Sequence, residues 1–131
     1  MEPWAADYIG IPFLVRGRDR VGLDCYGLCR LVLCEHFGKT LPDFQSYRSI
    51  EDRQHIALLI DANKPTINAR EVESPVPGDL VLMHFYGLPI HIGIYAGSGY
   101  LLHVMKGCNT ALERLDSMRI APRIKGYYRV L

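Results

Sequence analysis

An excess of charge of either sign is what this sequence most plainly lacks. Its 15 lysines and arginines stand against 14 aspartates and glutamates, for a formal net charge of +1. The densest basic group, Arg16, Arg18 and Arg20, is split by Gly17 and Asp19. Nucleic-acid-binding domains gather positive charge into a stripe or patch, so no nucleic-acid partner is expected. Long apolar runs are missing as well. None reaches the roughly 20 residues a membrane-spanning helix requires, and no membrane insertion is expected. The first residues, Met1-Glu2-Pro3-Trp4, carry no basic segment followed by an apolar stretch, so no signal peptide is expected. The chain is then expected to be made in a cytoplasm, with a non-classical route for any work outside it. Internal repeats and low-complexity tracts are absent. The four cysteines, Cys25, Cys29, Cys34 and Cys108, include a C-x3-C-x4-C spacing that matches no common structural zinc pattern.

What is present suits one compact domain. The 131 residues are 49% hydrophobic and 22% charged, and that length accommodates a single core over residues 1–131. Disulfides are not needed at this size. All four cysteines are therefore expected to be reduced, with Cys29 and Cys34 as small core residues.

The two halves of the chain read differently. Residues 4–23 are a lead-in punctuated by Gly10, Pro12, Gly17 and Gly22. Cys25 to Phe37 then has helical apolar spacing through Leu28, Leu31 and Val32. Asp24 stands where an N-cap belongs, and Gly38 where a C-cap belongs. Residues 39–45 read as a loop and 46–60 as a second helix. After the turn Glu73 to Asp79, short apolar segments take over. Leu80–Met83, Ile90–Ala96 and Tyr100–Met105 are predicted strands, the last two joined through Gly97-Ser98-Gly99 as a hairpin. Leu112–Leu115 fits a helical turn or an edge strand, and Tyr127–Leu131 a terminal strand. Helices first and an antiparallel sheet afterwards make the fold class α+β.

Cys25 is the sharpest chemical candidate. A helix N-terminus favours a thiolate and offers unpaired backbone N–H groups to a developing oxyanion. A buried structural cysteine is the plainer alternative. Gly27, two residues on, points to a close approach by packing or ligand. His91 opens the segment His91-Ile92-Gly93-Ile94-Tyr95, where alternation places it on one face with Gly93 and Tyr95. An imidazole there can serve as general base, or can simply be satisfied by a backbone carbonyl. The hairpin would bring His103 beside it, giving a nucleophile, a base and an orienting group. Cys25, His91 and His103 also have the right ligand types for zinc, but spacing supplies no fourth ligand. No metal or other cofactor is called for. His36 fits the helix C-terminus, His84 the rim of a cleft and His55 a helix surface. Tyr8, Tyr26, Tyr86 and Tyr100 are candidates to line a groove.

Four segments occur in order: Asp24-Cys25-Tyr26-Gly27-Leu28, Pro77-Gly78-Asp79-Leu80-Val81, His91-Ile92-Gly93-Ile94-Tyr95 and Leu102-His103-Val104. Together they resemble the NlpC/P60 family of cysteine peptidases, and especially the versions carried by phages and prophages as tail-assembly or tail-tip proteins. The resemblance implies a papain-like α+β fold with the catalytic cysteine opening a helix packed on a small antiparallel sheet. It implies Cys25 as nucleophile, His91 as base and His103 as the third, orienting residue. It further implies hydrolysis of peptidoglycan stem peptides between D-glutamate and a diamino acid, in a phage virion tail or in the bacterial cytoplasm before assembly, with other tail proteins as partners. Three departures stand out. Family members often carry Gly-x-Pro-Tyr ahead of the cysteine, whereas this chain has Gly10-Ile11-Pro12-Phe13 and so lacks the hydroxyl. The serine that commonly follows the cysteine is Tyr26. The stretch from Cys25 to His91 is long, with the extra material at residues 39–74. The missing hydroxyl keeps a second reading open, a tail component with weak or no hydrolysis.

Overall fold

The computed structural model describes residues 1–43, 67–85 and 88–131. The expected second helix at 46–60, together with His55 and Tyr86, lies outside the described residues. A 3-10 turn, Pro3–Tyr8, leads into a two-stranded hairpin of β1 (Arg18–Asp19) and β2 (Gly22–Leu23). Helix α1 (Cys25–Phe37) follows. The sheet strands are β3 (Ala69–Val72), β4 (Leu80–Phe85), β5 (Leu88–Tyr95), β6 (Tyr100–His103), β7 (Ala111–Arg114) and β8 (Ile124–Val130). They form one antiparallel sheet in the order β3-β8-β4-β5-β6-β7. This is the expected α+β class, with α1 packed against β5.

Both ends of α1 follow from its flanking residues. Asp24 is extended, and its carboxylate accepts the Gly27 N–H at 2.7 Å. Gly38 adopts the left-handed conformation, φ 62°, which glycine enters without a Cβ penalty, and its N–H reaches the Leu33 carbonyl. Buried Cys25, Leu28, Cys29, Val32 and Leu33 form the inward stripe. Cys34 is exposed, contrary to the expectation of a core residue, because it falls one step past Leu33 and outside that stripe. Gly27 is fixed by a close approach: a Cβ there would lie 1.9 Å from the Gly17 carbonyl oxygen. The turn ahead of β1 thus presses directly on the first turn of α1.

The sheet separates two apolar clusters. Ile92, Ile94, Leu80 and Leu102 join Cys25, Leu28, Cys29, Val32 and Leu33 in the larger one. Val81, Met83, Phe85, Leu101 and Ile120 form the smaller one. Strand alternation explains the division, since neighbours such as Leu101 and Leu102 face opposite ways. β8 starts at Ile124, earlier than the expected Tyr127, and lies inside the sheet between β3 and β4. Leu112–Leu115 resolves in favour of the edge strand, as β7. Among the described residues no helix is long and apolar enough to cross a membrane.

Candidate active site

Cys25 is the first residue of α1 and is 1% exposed. Its placement depends on Asp24, whose carboxylate holds more than the cap. Oδ2 accepts the Arg16 N–H at 3.1 Å, and Oδ1 accepts from Arg18 Nη1 at 3.0 Å. The loop before the helix and the helix's first turn are thus tied to one buried carboxylate. Cys25 shares the larger apolar cluster with Ile92, the residue next to His91.

The two histidines meet across β5 and β6. His91 Nε2 and His103 Nδ1 are 2.8 Å apart, with the rings inclined at 67°. Both side chains are buried, at 1% and 3% exposure. The sequence expectation that the hairpin brings these rings together is met. Gly93 makes the approach possible, because a Cβ there would come within 3.0 Å of the His103 Cβ and 2.5 Å of Leu101 Cδ1. Phe85 presents a T-shaped contact to His91 with ring centroids 5.4 Å apart.

The chain of polar contacts continues beyond His103. Its Nε2 lies 2.8 Å from Glu113 Oε1, and Arg119 Nη1 donates to the same oxygen. Burial lowers the His103 pKa below the usual imidazole value, against the opposing pull of Glu113. Burial raises the Glu113 carboxyl, but hydrogen bonds from His103 and Arg119 outweigh it, and the net shift is downward. A neutral imidazole beside an ionised carboxylate is the consistent state near pH 7. Glu113 and Arg119 were not among the sequence candidates. The only available signal was the alternation of Leu112 and Glu113 in a segment that also fits a helical turn.

The remaining candidates sit elsewhere. Cys29 is fully buried, and burial first, then the neighbouring Cys25 and Asp24, drive its thiol pKa well up; it is an inert core group. His36 is exposed at the end of α1, stacked on Trp4 with centroids 5.7 Å apart. His84 is half-buried on β4. Tyr8 and Tyr26 are fully buried and do not line a groove. The Tyr26 hydroxyl donates to the Pro42 carbonyl at 2.6 Å, and burial pushes its pKa up to about 12. Phe13 is half-buried. The segment it ends bridges the loop after β6, with Gly10 N–H on the Thr110 carbonyl at 2.8 Å and Phe13 N–H on the Cys108 carbonyl at 3.1 Å. Phe13 also pairs with Leu23, so the segment runs from the loop following His103 to the strand preceding Cys25. Among the described residues no three histidine, cysteine or acidic side chains are grouped to hold a metal. The facing nitrogens of His91 and His103 are engaged with one another rather than converging on a shared point.

Comparison with known proteins bears on the family and the fold. The chain is 26% identical over 126 residues to the murein DD-endopeptidase MepS/murein LD-carboxypeptidase of Escherichia coli K12, covering 96% of this chain and 59% of that protein. It is also 26% identical over 110 residues to a probable endopeptidase NlpC homolog of Haemophilus influenzae, covering 84% and 50%. The chain thus spans half to three-fifths of the length of these relatives. Among solved structures, an NlpC/P60 family protein from Bacillus cereus ATCC 10987 superposes with a TM-score of 0.69 at 20% identity, over 97% of this chain and 38% of that one. The NlpC/p60 domain of the peptidoglycan hydrolase SagA gives 0.63 at 20% identity, over 96% and 92%. These likenesses establish the papain-like fold. The model of the NlpC/P60 family matches residues 10–129, and with nearly the whole sequence accounted for, the chain belongs to that family.

Proposed function

We propose that this protein is a cysteine peptidase that hydrolyses an amide bond in peptidoglycan stem peptides, with Cys25 as nucleophile, His91 as general base and acid, and His103 as the residue that orients His91. The whole chain, 1–131, acts as one catalytic domain. The observation that carries the reading is the buried His91–His103 hydrogen bond on the strand against which the Cys25 helix packs. Family membership and the printed activities of the E. coli and H. influenzae relatives support the substrate class.

Because His91 Nε2 faces His103, proton exchange with the thiol falls to His91 Nδ1. The Cys25 Sγ–H proton moves to that nitrogen, and the thiolate attacks the amide carbon. The carbonyl oxygen becomes an oxyanion, which the Cys25 backbone N–H at the helix N-terminus stabilises. As the C–N bond breaks, His91 returns the proton to the leaving amine. Water, deprotonated by His91, then attacks the thioester and releases the acid and the free thiol. Phe13 offers no hydroxyl to the oxyanion, so the second donor comes from elsewhere, or the enzyme is correspondingly slower.

The bond we assign is that between D-glutamate and the diamino acid, in a phage tail-associated setting; both rest on the sequence resemblance. The test is digestion of purified diaminopimelate-type peptidoglycan by the wild type and by Cys25→Ala, with products identified by mass spectrometry. Cleavage by the wild type alone is expected, and the product masses separate the D-glutamyl–diamino acid bond from DD- or LD-bonds. No cleavage by a folded wild type would overturn the enzymatic reading and favour an assembly role. Detection of the chain in purified virions tests the setting.

A further inference from the structure

We propose that Glu113 is a positioning residue of this site, fixing the hydrogen of His103 on Nε2 and thereby holding His91 in the tautomer whose Nδ1 accepts the thiol proton. This rests on the assignment of Cys25 and His91 as thiol and base.

An ionised carboxylate is an acceptor only, so the 2.8 Å contact between Glu113 Oε1 and His103 Nε2 places a hydrogen on that nitrogen. A neutral imidazole carries one N–H, which leaves His103 Nδ1 as an acceptor. The 2.8 Å contact with His91 Nε2 therefore has His91 as its donor, and His91 Nδ1 carries the lone pair. Reversing the first hydrogen reverses the whole chain. His103 as an Nδ1–H donor would require His91 Nε2 to accept, placing the His91 hydrogen on Nδ1 and disabling it as a base toward the thiol. Burial of His103 and the net downward shift of Glu113 fit the neutral–ionised pair that this logic requires.

Glu113 is itself held. Arg119 donates to the same Oε1 through Nη1, and its Nη2 lies 3.1 Å from Met105 Sδ. The Arg119 guanidinium sits over the Phe85 ring at 5.7 Å, and Phe85 in turn meets His91 at 5.4 Å. The contacts form a closed circuit from His91 through His103, Glu113, Arg119 and Phe85 back to His91. His103 alone could adopt either tautomer; the acceptor beyond it makes the choice.

A cavity of about 120 Å³ borders Glu113, His103 and Arg119, so truncation to alanine leaves room for a small carboxylate. The experiment uses the full chain labelled with 15N-histidine, with ring tautomers read from long-range 1H–15N correlation. The wild type at pH 7 is expected to show a neutral His103 ring with its hydrogen on Nε2, and a hydrogen on Nε2 of His91. Glu113→Gln should keep that pattern, because Arg119 holds the amide oxygen toward His103. Glu113→Ala should mix the His103 tautomers and lower kcat by about 10-fold or more, since a base held in the wrong tautomer cannot take the nucleophile's proton, with KM little changed. Formate should restore part of the lost turnover in Glu113→Ala and leave the wild type unaffected. An Nδ1–H form of His103 in the wild type, or unchanged tautomers in Glu113→Ala, would overturn the proposal. The spectra need no substrate. Expected tautomers in a protein that leaves peptidoglycan intact would therefore refute the proposed activity while upholding the positioning role.

Discussion

Asp24 is the residue on which the geometry of Cys25 most depends, and its replacement separates two contributions. The Oδ1 atom accepts the Gly27 N–H at 2.7 Å and Arg18 Nη1 at 3.0 Å, and Oδ2 accepts the Arg16 N–H at 3.1 Å. Both side chains of the Arg18–Asp24 pair are largely buried, at 10% and 5% exposure. Loss of the cap alone costs about 1 kcal/mol. Arg18 keeps a second carboxylate, Asp43, at 3.0 Å, so loss of Asp24 leaves its charge half-compensated, at about 1.5 kcal/mol. The released Arg16 N–H adds about 0.5 kcal/mol. Asp24→Ala should therefore destabilise by about 3 kcal/mol. Asp24→Asn retains a neutral acceptor for Gly27 and should cost about 1–1.5 kcal/mol. With a urea slope of about 2 kcal/mol per M for a chain of this size, the unfolding midpoint drops about 1.5 M for alanine and about 0.6 M for asparagine. Equal losses for the two variants, or an alanine variant within about 0.5 kcal/mol of wild type, would refute the account of Asp24 as both cap and counter-ion.

Two further outcomes follow from ion-paired carboxylates and their partners. Asp79 is 2% exposed and receives Arg129 Nε and Nη2 at 2.9 Å each and the Val76 N–H at 2.8 Å, joining the turn before β4 to β8. Asp79→Ala should lower Tm, because it leaves the half-buried Arg129 guanidinium and the Val76 N–H without their acceptor; an unchanged Tm would mean the pair behaves like a surface ion pair. Glu113 has a folded pKa depressed below its ordinary 4.5. Its ionised form thus contributes stability that is fully present above that unfolded value and is lost as pH falls through the folded one. The stability difference between wild type and Glu113→Gln should accordingly shrink as pH falls below about 4.5, measured by urea titration across pH 3–7, and a difference independent of pH would refute the linkage.

How much of this was legible in the sequence depended on how strongly each segment is patterned. α1 was readable from end to end because cap residues and apolar stripe agree. The central strands and the His91–His103 pairing were readable because Gly97-Ser98-Gly99 permits a tight reversal: all three residues have positive φ. The β1–β2 hairpin escaped because two-residue strands bearing Arg18 and Asp19 have no alternation to detect. β3 escaped for a related reason, its Ala-Arg-Glu-Val pattern mixing half-buried and exposed positions on an edge of the sheet, where charges discourage unwanted pairing. Membership of a helix did not by itself decide burial, as exposed Cys34 demonstrates.

The same weakness of edge patterning explains why Glu113 was missed. β7 forms the opposite edge of the sheet from β3 and is nowhere fully buried, so a carboxylate there looks like ordinary edge charge. Its register with β6 changes that reading. His103 pairs with Ala111 and Leu101 with Glu113, which places the carboxylate two residues along the strand from the position opposite the histidine, on the same face and within reach of its ring. Chemistry-bearing residues at a strand edge are thus invisible to burial patterns taken one segment at a time. They become interpretable once the sheet order puts a half-buried acid beside a buried base. The buried part of the site, Cys25, His91 and His103, is set by the elements that make the core. The acceptor that selects their protonation state comes from the strand that the core specifies least.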